Sequence, residues 1–196
     1  MSDRAAATAN AALSMDAREF GRRSDMFIRQ TRPDVADESL AVGLRLVRAA
    51  NAFVQASEHE VHRPLGLRWS GFSALFILSI FRTLEARTIA RLMGVTRQAT
   101  SLVLSTLERD GHVDRQPADA GDRRLVAIRL SRRGRTTVKK ALSGQLDLSE
   151  RWFSCLSPEE QRELNRLLDK VLVHGAGRPA GAVHDGVNVR RGQPRG

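Results

Sequence analysis

Arg97 and Gln98 open the stretch of this 196-residue chain with the most distinctive chemistry. An arginine can fork two N–H bonds onto guanine O6 and N7, and a glutamine can pair in the same two-bonded way with adenine. Thr96, Thr100 and Ser101 flank them and complete a polar set suited to reading base edges. A second cluster is His59 and His62, at i and i+3 between Glu58 and Glu60. That spacing can bind zinc, but paired histidines at a helix end are usually solvated, and no metal is expected. Cys155 is the single cysteine, so neither an internal disulfide nor a cluster of thiolate ligands can form. No Ser-His-Asp, Cys-His or phosphate-loop spacing is present. The chain is therefore not expected to be an enzyme, and no cofactor is implied.

The charge balance agrees with a polyanionic partner. Lys plus Arg total 32 against 22 acids, a net charge of +10, and most of the excess is Arg. Such a surface attracts nucleic acid at long range, although composition alone fits an ordinary soluble surface equally well. With two Trp, seven Phe and no Tyr, the chain lacks the aromatic row on which single-stranded bases stack. No stretch approaches the ~18 apolar residues of a membrane span. The longest candidate, Phe72 to Phe81, reads as a buried helix. The N-terminal MSDRAAATANAALSMDAREF lacks the apolar core of a secretion signal. These features point to a cytoplasmic protein with no membrane partner.

The candidate residues need elements to hold them. Residues 1–33 read as an extension whose ends fray around a short helix at 14–30, with Phe20, Phe27 and Ile28 on its apolar side. A long helix over 35–62 carries Leu40, Val47, Val54 and Val61 every seven residues, beside Leu44. Pro64 and Gly66 stop it, and its length leaves part of the stripe for a second subunit. Ser70 is expected to cap a central helix over 70–81. The run TIARLMGVTRQATSLVLSTLERDGHV, residues 88–113, reads as short helix, turn, longer helix, stop. Ile89, Ala90 and Leu92 or Met93 supply the inner face of its first helix. Gly94 suits the left-handed turn, Thr96 the cap, and Gly111 the helix end. Val103 and Leu107 form the inner face of the longer helix. A hairpin follows, with Val113, Arg115 and Pro117 on one strand and Leu125, Val126 or Ala127, Ile128 and Leu130 on the other. Residues 118–124, ADAGDRR, supply its turn. A helix over 131–156 carries Val138, Leu142, Leu146, Trp152 and Phe153. Another begins at the capping box Ser157-Pro158-Glu159-Glu160 and is lined by Leu164, Leu167, Leu168, Val171 and Leu172. Residues 175–196 have no period and much Gly, and read as a disordered basic tail.

The fold class expected is mainly α with a small β-hairpin wing. The second helix of a helix-turn-helix fits the major groove, with its early residues toward the bases. Arg115 on the hairpin, and Arg123 and Arg124 at its tip, stand at the height of phosphates or the neighbouring minor groove. Residues 109–135 contain eight Arg and four Asp, which favours this reading over a plain three-helix core with a charged loop.

From about residue 40 to 173 the chain resembles the MarR family of bacterial transcriptional regulators. The resemblance rests on IARLMGVTRQATSLVLSTLERDGHV, on Asp122-Arg123-Arg124, and on LVAIRLSRRG running to Gly134. It implies a homodimer in which helices at 34–66 and 131–174 interlock. Two winged lobes, residues 67–130 of each chain, then reach successive major grooves of double-stranded DNA at a pseudo-palindromic operator. The family's wing Asp orients its Arg, a role that falls to Asp122 and Arg124. Leu102 departs from the pattern, since many members carry a basic residue there. Cys155 is expected as a buried thiol at the dimer helices.

The resemblance also implies a small aromatic or phenolic effector between the winged lobe and the dimer helices, acting by population shift. His62, Arg63, Arg68, Trp69, Phe72 and Phe76 stand where that cleft would form, although Trp69 and Phe72 serve equally well as core. Ser70 follows Trp69 where urate-responsive members carry an acid, so urate is not expected. A ligand-released repressor is the leading expectation. The alternative is a DNA-binding architectural protein or activator without an effector.

Overall fold

The computed structural model describes residues 16–31, 38–117 and 126–176. The expected wing-tip residues Asp122, Arg123 and Arg124, the strand residue Leu125, the N-terminal stretch and most of the C-terminal tail lie outside them.

Helix α1 (Ala17–Thr31) starts where the Asp16 carboxylate accepts the Glu19 N–H at 2.7 Å. It lies against α2 (Glu38–Ser57), where Arg45 pairs with Asp25 at 2.7 Å and the Arg48 guanidinium sits 4.6 Å above the Phe20 ring. The long helix expected over 35–62 is not uniform. After Ser57 it widens into a π turn, Glu58–His62, then tightens into a 3-10 turn, Arg63–Leu65, ending at Gly66 with φ 72°. A π turn inserts a residue and rotates everything after it. Here it turns both Val61 and His62 into the core.

Helix α3 (Trp69–Phe81) begins one residue before the expected Ser70 cap, and Ser70 does not cap it. The Glu58 carboxylate on the π turn accepts the Trp69 N–H at 2.9 Å. The cap is thus long-range, and a carboxylate there also opposes the positive end of the helix dipole. Gly71, Phe72, Ala74, Leu75 and Leu78 of α3 are buried, whereas Phe76, Ile80 and Phe81 remain exposed.

The chain leaves α3 through Arg82, whose φ of 63° and ψ of −55° are unusual for a residue with a side chain. It then enters β1 (Thr83–Glu85), α4 (Ala86–Met93), α5 (Arg97–Arg109), β2 (Val113–Pro117) and β3 (Val126–Leu130). The three strands form an antiparallel sheet in the order β1-β3-β2, with Leu84 opposite Ile128 and Arg115 also opposite Ile128 from the other side. Strand β1 was not expected, because three residues carry no period.

Helix α6 (Arg132–Phe153) starts at Ser131, whose Oγ accepts the Gly134 N–H at 3.0 Å and donates to the Gly111 carbonyl at 2.7 Å. Leu75, Leu78, Ile89, Leu104, Ile128 and Ala141 pack into one core beneath the helix-turn-helix. Two glycines of α6 permit close approach. A Cβ at Gly134 would lie 2.0 Å from the His112 carbonyl oxygen, and one at Gly144 would lie 3.1 Å from Val61. Beside Gly144, the buried Gln145 side chain donates to Ser57 Oγ at 3.1 Å.

The residues from Ser149 onward form a separate compact unit. Its helix α7 (Pro158–Ala176) opens on the expected capping box: Ser157 N–H donates to Glu160 at 2.8 Å, and Glu160 N–H to Ser157 Oγ at 3.3 Å. Leu164, Leu167, Val171 and Leu172 are exposed. Cys155 is also exposed, not buried as expected. Among the described residues no single helix is long and apolar enough to cross a membrane.

Candidate nucleic-acid interface

Local backbone chemistry places the reading helix. Helix α4 ends at Gly94, whose φ of 68° lies in the left-handed region open to glycine. The Gly94 and Val95 N–H groups fold back onto carbonyls of α4 at 3.2 Å. Two residues later the Thr96 hydroxyl accepts the Ala99 N–H at 3.2 Å and starts α5. Ile89 and Ala90 hold α4 to the core, as Leu104 and Leu107 hold α5. Met93 rather than Leu92 completes the inner face of α4, since Leu92 is exposed. On α5 the inner positions are Leu104 and Leu107, with Val103 only partly buried.

The predicted reading residues divide into two groups. Arg97, Gln98 and Ser101 are exposed along the first turns of α5, and Thr96 is exposed with its hydroxyl committed to the cap. Thr100 is a correction. It is completely buried, and its hydroxyl donates to the Thr96 carbonyl at 3.1 Å. At 3.6 residues per turn Thr100 shares one face with Leu104 and Leu107, four and seven residues later, and that is the buried face of α5. Leu102 is 67% exposed and stands out from the same surface.

Arg115 is engaged within the fold. Its Nε donates to Glu108 at 2.7 Å, and its Nη2 lies 3.4 Å from Ser105 Oγ. It therefore ties β2 to the last turns of α5.

Three basic residues that sequence reasoning passed over or took singly lie together. Arg87, Arg91 and Arg97 line an open hollow of about 640 Å³ with Thr88 and Thr96, where α4 meets the start of α5. The i, i+4 spacing of Arg87 and Arg91 was a legible signal, since it places both on one helical stripe. The first helix of a helix-turn-helix crosses the phosphate backbone, so basic residues on that stripe suit it.

The residues expected around an effector cleft also separate. His62 and Phe72 are buried and stacked, with ring centroids 4.5 Å apart. Trp69 lies edge-on to Phe53 at 6.0 Å, and Phe76 stacks on Phe72 at 5.9 Å while remaining partly exposed. Arg63 and Arg68 are exposed, with guanidinium nitrogens 3.9 and 3.7 Å from Glu58. Burial lowers the pKa of His62, against the opposing pull of Glu58. His59 is exposed, and no group of three metal-ligating side chains occurs among the described residues.

Comparisons with known proteins agree with this geometry. A family model described as MarR family matches residues 65–125. The chain is 30% identical over 138 residues to the helix-turn-helix-type transcriptional regulator YwaE of Bacillus subtilis, covering 68% of this chain and 78% of that protein. It is 36% identical over 108 residues to a helix-turn-helix-type transcriptional repressor of Mycobacterium tuberculosis, covering 55% of this chain and 77% of the repressor. Among solved structures, a mutant E. coli MarR complexed with operator DNA aligns with a TM-score of 0.64 at 21% identity, over 71% of this chain and 99% of that one. An organohalide-sensing transcriptional regulator in its 2,4-dichlorophenol-bound form aligns with a TM-score of 0.65 at 22% identity, over 74% and 84%. This winged helix-turn-helix chain belongs to the MarR family of DNA-binding transcriptional regulators, which are not enzymes.

Proposed function

We propose that the protein is a homodimeric repressor that reads a pseudo-palindromic operator and is released by a small aromatic or phenolic ligand. The observation that carries the operator reading is the exposed start of α5. Arg97, Gln98 and Ser101 face outward there, beside the basic hollow of Arg87 and Arg91. In this reading Arg97 and Gln98 contact base edges, Arg87 and Arg91 hold phosphates, and Asp122 orients Arg124 at the wing. Arg115 supports the wing through Glu108, and Arg123 adds a phosphate contact.

Dimerisation is supported by apolar side chains that a single chain leaves exposed: Val42, Leu44 and Val47 on α2, and separately Leu164, Leu167 and Val171 on α7. The repressor reading is supported by the name of the mycobacterial relative. The effector reading is supported by the dichlorophenol-bound structural neighbour and by the aromatic cluster of Trp69, Phe72 and Phe76. The close packing of His62 on Phe72 favours the second reading, a DNA-binding architectural protein or activator in which this cluster is only core.

Fluorescence anisotropy with the DNA upstream of its own gene, against excess scrambled duplex, tests the proposal. Binding that survives competitor at two chains per duplex, and that falls on adding an aromatic acid or phenol, is expected. Binding lost to competitor with a steep salt slope would support the architectural reading.

A further inference from the structure

Leu102 is the one large apolar side chain that α5 exposes, at 67%, against 44% for Leu92 on α4 and for Val95 in the turn. Successive residues of a helix turn by about 100°. Leu102 stands two residues from both Thr100 and Leu104, so it points about 160–200° away from the buried face that those two mark. Gln98, four residues earlier, is exposed on the same stripe. Ser101, Ser105 and Thr106 border that stripe and are exposed as well. The outermost line of α5 therefore carries an amide suited to adenine and, about 6 Å further along the axis, a branched hydrocarbon in a polar surround.

We infer that Leu102 is a specificity-determining residue that reads a thymine through its C5-methyl group. The inference rests on the operator reading proposed above and adds one base to it. In the pattern of groups that base pairs present to the major groove, that methyl is the apolar one. A leucine gains nothing from a phosphate. Against guanine O6 and N7, or against an amino group, it strips water from atoms to which it cannot bond. Against a thymine methyl both partners give up apolar surface, a gain of about fourfold in affinity for one methyl. The same side chain thus favours thymine and disfavours the polar edges of the other bases. The step of about 6 Å from Gln98 spans about two base pairs, so this thymine lies close to the adenine assigned to Gln98.

The full-length protein selects duplexes from a randomised library, and the tightest sequence is resynthesised with deoxyuridine in place of one thymidine at a time. This change deletes the methyl and keeps the base pair. Anisotropy at fixed salt is expected to find a thymidine in each half-site whose demethylation weakens binding about fourfold. Bromodeoxyuridine, whose bromine is of methyl size, should restore affinity there. Leu102→Ala should bind the unmodified duplex about fourfold or more weakly and show no further loss with deoxyuridine. Its melting temperature should be unchanged, because the side chain is exposed. Leu102→Arg, put through the same selection, should prefer guanine at that position. The absence of any methyl-dependent thymidine, or a deoxyuridine penalty of the same size in Leu102→Ala, would overturn the inference and leave the operator reading standing. A library that yields no preferred sequence would overturn the operator reading itself, and the inference with it.

Discussion

At the scale of single residues, Thr100 and its neighbours separate stability from recognition. Thr100 is sealed against the core, so Thr100→Ala should cost about 1 kcal/mol of stability and leave base preference unchanged in the folded protein. Arg97→Ala should do the reverse: little change in melting temperature, and a loss of about 1–3 kcal/mol of discrimination at one guanine in an operator substitution series. His62 and His112 supply a pH dependence. Burial depresses both pKa values, with Arg133 adding to the effect at His112. The folded state therefore refuses protons that the unfolded chain accepts. Stability from these groups is complete above the ordinary histidine pKa of about 6.5 and is lost as the pH falls below it. Urea midpoints measured downward from pH 7.5 should fall, and His62→Phe should fall less steeply. An equal slope in the variant would exclude His62 as a source.

At the scale of elements, two junctions hold the winged lobe in shape. Glu58 on the π turn caps α3, so Glu58→Gln should lower stability by about 1 kcal/mol, seen as a lower melting temperature with an unchanged circular dichroism spectrum. The junction of β3 and α6 is less forgiving. At Gly134 even a methyl group would collide with backbone, the His112 carbonyl, which cannot rotate away. Gly134→Ala should therefore cost about 3 kcal/mol or more and give little folded protein. A near-native melting temperature for that variant would mean α6 can slide relative to the turn after α5.

At the scale of the whole molecule, the exposed apolar residues of α2 and α7 exceed what a lone chain comfortably presents to water. Leu164→Asp with Leu167→Asp should give a monomer by sedimentation velocity. That monomer should bind a full operator far more weakly, because one lobe loses the local concentration supplied by the other. A variant that stays dimeric would remove this face of α7 from the proposed interface.

The sequence by itself determined the features encoded within a few residues. Gly94, Thr96 and Gly111 mark the helix-turn-helix because each position needs a particular backbone conformation or cap. The Ser157–Glu160 box marks α7 for the same reason. The order of these signals identified the family and the winged fold. Tertiary structure decided what depends on partners distant in the chain. Strand β1 exists only through its pairing with β3, which begins more than forty residues later. The cap of α3 comes from Glu58, eleven residues before Trp69, in place of the adjacent Ser70. Thr100 and Ser101 are similar polar neighbours in sequence. Only the angle at which α5 meets the core buries one and leaves the other exposed. Arg115 carries a charge legible anywhere, but β2 brings it within 2.7 Å of Glu108 and so makes it a brace. Local backbone preferences act over a helical turn and can be read from neighbours. Burial and pairing depend on which surfaces meet, and those are set only when the elements pack.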